Sequence, residues 1–130
     1  MIVDSSALMA VVNDEIEGDQ MMRLMATNRC RMSVGTWLEV GIVADGRSPA
    51  HGERLDRVVE RLGIERVPVT EEQARIARIA YRRYGKGSGS KARLNLGDCF
   101  AYALSSTAGE PLLFIGNDFT HTDVLRVAGL

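Results

Sequence analysis

The chain has two cysteines and three prolines in 130 residues. Cys30 and Cys99 lie far apart and match no zinc-binding or dithiol spacing, which excludes a cysteine-built metal or redox centre. No apolar run approaches the ~18 residues that would span a bilayer. The opening MIVDSSALMAVVNDE lacks the basic region of a signal peptide, and Asp4 interrupts its apolar stretch. Two cysteines without a secretion signal read as reduced thiols, so the expected location is cytoplasmic, with no membrane partner. Internal repeats, an interdomain linker and long low-complexity segments are all missing. Residues 1–130 are therefore expected to form a single domain, able to bury roughly two thirds of the unfolded surface.

Lysine is also scarce: of 16 basic residues only Lys86 and Lys91 are lysines. Acids are missing from one long stretch. Between Glu72 and Asp98 the chain carries Arg75, Arg78, Arg82, Arg83, Lys86, Lys91 and Arg93 and no carboxylate. Arginine suits phosphate because its planar fork donates two parallel hydrogen bonds. Arg75, Arg78 and Arg82 fall at i, i+3 and i+7, on one face of a helix. A solvated charged face is the plain alternative to a surface that meets nucleic acid.

What is present alternates between short apolar runs and helical patterns. MIVD and IERVPV read as strands, as do CRMS and PLLFIGND. Between them, SSALMAVVND reads as a helix with Ser5 or Ser6 as N-cap. Residues 15 to 28 suggest a second helix with Met21, Met22, Leu24 and Met25 on its apolar side. VGTWLEVGIVADG reads as a third, ended by Gly46. HGERLDRVVERLG is amphipathic through Leu55, Val58, Val59 and Leu62 and is closed by Gly63. Thr70 with Gln73 forms a capping box for a helix to Tyr84. GKGSGSK is a loop that does not match a phosphate-binding P-loop. The run from Cys99 is helical, with Asp98 at its mouth, and FTHTDVLRVAGL offers a last short strand. This alternation predicts an α/β fold with a mainly parallel sheet, whose functional site collects at the carboxyl ends of the strands.

Acids sit where such a site would be. Asp4 closes the first strand and Asp118 follows the LLFI strand. Asp98 opens a helix, and Glu39 lies one turn into another, among Trp37, Leu38, Val40 and Ile42. Helix capping alone accounts for an isolated Asp98. Four acids on one sheet edge are different: at ~4 Å each pair costs about 4 kcal/mol with an effective dielectric near ~20. A positive ion offsets that, and an all-oxygen donor set selects Mg²⁺ or Mn²⁺. Without these four acids the formal charge of −1 becomes +3, a mildly basic surface around an acidic pit. Phosphodiester hydrolysis needs that combination.

MIVDSSAL, TWLEVGIV, LNLGDCFAYAL and LLFIGNDF resemble the four acidic motifs of PIN-domain ribonucleases, and more narrowly those of VapC toxins from type II toxin–antitoxin modules. The resemblance runs from Met1 to about Asp123, and its most specific part is Leu-Asn-Leu-Gly-Asp-Cys. It implies a PIN-like α/β/α sandwich and a Mg²⁺- or Mn²⁺-dependent endoribonuclease. It also implies a homodimer silenced by a small cognate antitoxin of the VapB kind. Carried over, Asp4 and Asp98 are the principal metal ligands, Glu39 and Asp118 complete the quartet, and Ser6 positions a water or phosphate. Asp118 is preferred as the fourth acid because it is nearer the strand end; Asp123, five residues on, shares or takes that role in the alternative. The chemistry implied is in-line attack of an activated water on an RNA phosphodiester, leaving a 5′-phosphate and a 3′-hydroxyl.

Other residues have plainer readings. His51 is expected on a surface loop and His121 in an exposed structural role. Tyr81, Tyr84 and Tyr102 are expected to pack, and Trp37 to lie in the core or a dimer contact. A phosphatase with Asp4 as nucleophile would place a second Asp at position 6, which is Ser6. A receiver domain would need an adjacent acidic pair that this pattern lacks. A PIN-like module that only binds RNA or protein is the remaining alternative to an enzyme.

Overall fold

The computed structural model describes residues 1–130. Its elements run β1 (Ile2–Val3), α1 (Ser5–Val12), α2 (Gly18–Ala26), β2 (Arg31–Ser33), α3 (Val34–Arg47), α4 (Pro49–Arg61), β3 (Glu65–Val67), α5 (Glu71–Tyr84), α6 (Leu96–Ala108) and β4 (Leu112–Leu113). The four strands form one sheet in the order β3-β2-β1-β4, and every pairing is parallel. Parallel neighbours need crossovers, which the helices supply. No helix is long and apolar enough to cross a membrane.

Alternation along the strands builds two cores, one on each face of the sheet. Val3 and Leu113 join Leu8, Val11, Met21, Met25, Val40 and Leu55 under α1 to α4. Ile2 and Leu112 join Tyr84, Leu94, Cys99, Leu104 and Phe119 under α5 and α6. This is the expected three-layer α/β/α arrangement. Both cysteines are buried free thiols, and burial raises the thiol of Cys99 to about 11, which leaves it protonated and unreactive.

Several local expectations are corrected. Asp4, not Ser5 or Ser6, is the N-cap of α1, because its carboxylate reaches the Ser6 N–H. The second helix begins only at Gly18, where the chain crosses so close to α1 that a Cβ would meet the Ala10 carbonyl. Helix α3 runs through Gly46 to Arg47, and Ser48 then caps α4. His51 therefore sits in the first turn of α4, its Nδ1 2.7 Å from the Ser48 hydroxyl, and not on a loop. The Thr70 box is half formed: Thr70 accepts from the Gln73 N–H, but the Gln73 amide donates to the Pro68 carbonyl. The last segment makes a single bridge, Leu112 to Arg126, and no strand. Trp37 is 40% exposed with the Arg66 guanidinium 5.3 Å from its ring, so it is outside the core. Tyr84 and Tyr102 do pack, at 5.9 Å between ring centres.

Candidate active site

The carboxyl ends of β1 and β4, the first turn of α6 and the middle of α3 enclose a cleft of about 280 Å³. Asp4, Glu39, Asp98 and Asp118 all line it, with Ser5, Ser6 and Asn95. Each acid arrives by a different local device. Asp4 is the last residue before α1 and is only 4% exposed. Its Oδ2 accepts from the Ser6 N–H at 3.0 Å and the Ser6 hydroxyl at 2.6 Å. That hydroxyl in turn accepts from the Ile115 N–H at 3.0 Å, tying the exit of β4 to the start of α1. Ser6 thus orients Asp4, and its hydroxyl is already engaged on both sides.

Asp98 is not the N-cap of α6. Asn95 is, and Asp98 closes a reciprocal capping box: the Asp98 N–H donates to Asn95 Oδ1 at 2.9 Å, and the Asn95 N–H donates to Asp98 Oδ2 at 3.0 Å. The box fixes the side chain while Oδ1 keeps no partner within the chain. Glu39 comes from α3 and is half-buried, and Asp118 is exposed in the turn after β4. Asp123 is elsewhere. It accepts from the Tyr102 hydroxyl at 2.5 Å and faces Arg83 at 4.0 Å, away from the cleft.

Burial first, and the neighbouring charges after it, disfavour the ionised forms of Asp4, Glu39 and Asp98. Burial raises Asp98 to about 6, with the charges of Asp4 and Asp118 adding to it, against the pull of the Asn95 N–H and of Lys86. Burial also raises Asp4 despite its bonds to Ser6, and Glu39 contributes in the same direction. Glu39 is raised by burial and then by Asp98. The donors are all oxygens, as a hard divalent cation requires. No three His, Cys, Asp or Glu side chains stand close enough to ligate one ion as they are arranged. A Mg²⁺ site that keeps several waters and uses one or two carboxylates fits such a cleft.

The arginines of α5 lie outside it. Arg75, Arg78 and Arg82 are exposed; Arg75 pairs with Glu71 at 2.8 Å. Arg78 lines an apolar groove between α5 and α6 that ends at Leu96, beside the Asn95–Asp98 box. Asn95 is a further residue of the cleft, beyond those expected from the sequence. The Asn-x-x-Asp spacing was the available signal for Asn95. Lys86, part of the basic stretch between Glu72 and Asp98, is brought toward Asp98 by the backbone bond from its N–H to the Leu94 carbonyl.

The PIN domain family matches residues 1–125. The chain is 46% identical to the ribonuclease VapC42 of Mycobacterium tuberculosis, over 95% of this chain and 96% of the relative. It is also 46% identical to ribonuclease VapC28 of the same organism, covering 97% and 96%. Among solved structures it resembles the Mycobacterium tuberculosis toxin VapC20 with TM-score 0.76 and 18% identity, covering 97% of both chains. It also resembles a toxin–antitoxin complex from Klebsiella pneumoniae with TM-score 0.72 and 17% identity, covering 97% and 95%.

Proposed function

The chain belongs to the PIN-domain family and, within it, to the VapC ribonucleases, and from that premise we propose that its four-acid cleft hydrolyses RNA as the toxin of a type II toxin–antitoxin module. The observation that carries the reading is the convergence of Asp4, Glu39, Asp98 and Asp118 from four separated segments on one cleft. Residues 1–130 act as one PIN-like unit in this reading.

Asp4 and Asp98 are the principal ligands for Mg²⁺ or Mn²⁺, with Glu39 and Asp118 completing the set directly or through water. A bound cation would acidify a water nucleophile and neutralise charge growing on the phosphoryl oxygens. The chain does the rest. Ser6 and Asn95 hold Asp4 and Asp98 by one oxygen each, fixing their carboxylates before substrate arrives. A carboxylate of the set that meets the ion only through water would accept the proton lost by the attacking water. Lys86, the cation that acts on Asp98, and the α5 face of Arg75, Arg78 and Arg82 neutralise the RNA backbone. A small VapB-like antitoxin is the partner, and the toxin works as a homodimer.

The test is cleavage of total cellular RNA with Mg²⁺ or Mn²⁺, comparing wild type with Asp98→Asn purified identically. Discrete fragments that vanish in the variant and in EDTA are expected, carrying 5′-phosphates. Products ending in 2′,3′-cyclic phosphate, or equal cleavage by both proteins, would overturn the reading.

A further inference from the structure

Gly97 stands between Leu96 and Asp98 in the first turn of α6 and is buried. Glycine is a poor helix residue, so its presence there needs a steric reason. Its φ is not positive, so the backbone itself does not demand glycine. The reason lies across the seam with α3: a Cβ built on Gly97 would fall on the carboxylate of Glu39, against Oε1, Oε2 and Cδ alike. The Glu39 carboxylate thus occupies the volume that any other residue at position 97 would fill.

We propose that Gly97 is a positioning residue for hydrolysis: its missing side chain is the berth that seats Glu39 on the first turn of α6, beside Asp98. This rests on the reading of the cleft as a metal-dependent nuclease site. Two features favour that seat for a carboxylate. The first turn of a helix presents N–H groups without helical acceptors and the positive end of the peptide dipoles. The neighbouring Asp98 side chain is held by Asn95, so it cannot swing in to take the same space. Seated there, Glu39 lines the same cleft as Asp98.

What must yield to a methyl group at position 97 is the far end of a flexible side chain, not backbone or ring. Gly97→Ala is therefore expected to fold and to melt no lower than wild type, since alanine is the better helix former. Its effect falls on the carboxylate. The expected result is an RNA cleavage rate at least tenfold below wild type at fixed Mn²⁺. The rescue is specific. In the Gly97→Ala background, Glu39→Asp shortens the acid by one methylene and makes room, so it should recover at least threefold of the lost rate. In the wild-type background the same Glu39→Asp change should lower the rate.

A second arm needs no substrate. The rise in melting temperature on adding Mn²⁺ should be smaller for Gly97→Ala than for wild type and partly restored in the double variant. Wild-type cleavage by Gly97→Ala, or a loss that Glu39→Asp leaves unchanged in both arms, would overturn the proposal. Absence of metal-dependent cleavage by the wild type would instead overturn the nuclease reading, and the Mn²⁺ melting arm would still decide the role of Gly97.

Discussion

Ser6 carries two jobs on one hydroxyl: it donates to Asp4 and accepts from the Ile115 N–H. Ser6→Ala removes a hydrogen bond to a buried carboxylate and strands a backbone donor, so a loss of about 2 kcal/mol in urea denaturation is expected. Cleavage should fall as well, because Asp4 loses its orientation. Asp98 gives a prediction of opposite sign. Unfolded aspartate titrates near ~3.9, whereas burial and the charges of Asp4 and Asp118 hold Asp98 up to about 6. The folded protein thus binds this proton more tightly than the unfolded chain. Ionising Asp98 costs stability: the cost is absent at pH below the unfolded value, grows as pH rises through about 6, and is complete at neutral pH. Asp98→Asn abolishes the cost, so in metal-free buffer at pH 7.5 it should melt above wild type by roughly 3 °C. The gap should close as pH is lowered toward ~4, and Mn²⁺ should stabilise the wild type more than the variant. Identical melting curves throughout would contradict the crowding. The same proton competes with the cation, so cleavage at limiting Mn²⁺ should decline as pH falls through about 6 and recover with added Mn²⁺.

Helices α3 and α6 touch at two glycines, and the two contacts differ in what opposes them. A Cβ on Gly35 would enter the ring of Phe100, whereas the nearest atoms to one on Gly97 belong to a mobile carboxylate. Gly35→Ala is therefore expected to destabilise by about 1–3 kcal/mol through overpacking, seen as a lower urea midpoint, while Gly97→Ala is not. The contrast bears on what a sequence can reveal. Helices α4 and α5 were legible because each buries a single face, so apolar residues recur with helical period. Helix α6 buries eight of its residues between sheet and α5, and its periodicity carries less information about where it starts. That is why Asp98 read as the opening residue although Asn95 begins the cap. The strands were found but their lengths were not: β1 and β4 are two residues each, cut short by caps and turns that depend on partners far along the chain. The choice between Asp118 and Asp123 was likewise tertiary. The backbone turns at Gly116 with φ +92, Asp118 lines the cleft, and Tyr102, 21 residues away, captures Asp123.

Across the whole molecule, the near-neutral total conceals a separation of charge. The four acids line one cleft at the sheet edge, while the exposed cations of α5 and the following loop form a stretch with no intervening acid. A phosphate chain drawn to such a surface releases counterions, so its affinity falls with salt, by ~0.7 in log–log slope for each single-strand phosphate neutralised. Arg75 is partly satisfied by Glu71, whereas Arg78 and Arg82 have no acidic partner among the ion pairs of the chain. They are the pair to test. In an Asp98→Asn background, expected to bind RNA without cutting it, replacing Arg78 and Arg82 by alanine should weaken binding of a single-stranded RNA and flatten the salt slope by about 1.4. Both changes are exposed, so the melting temperature should stay within about 2 °C. If instead the slope is unchanged, these arginines form a solvated helix face and the RNA path lies on the other side of the cleft. Lys86→Ala in the same background then measures whether the path enters over the loop that carries Lys86 past Asp98: a slope lowered by about 0.7 would place one phosphate there.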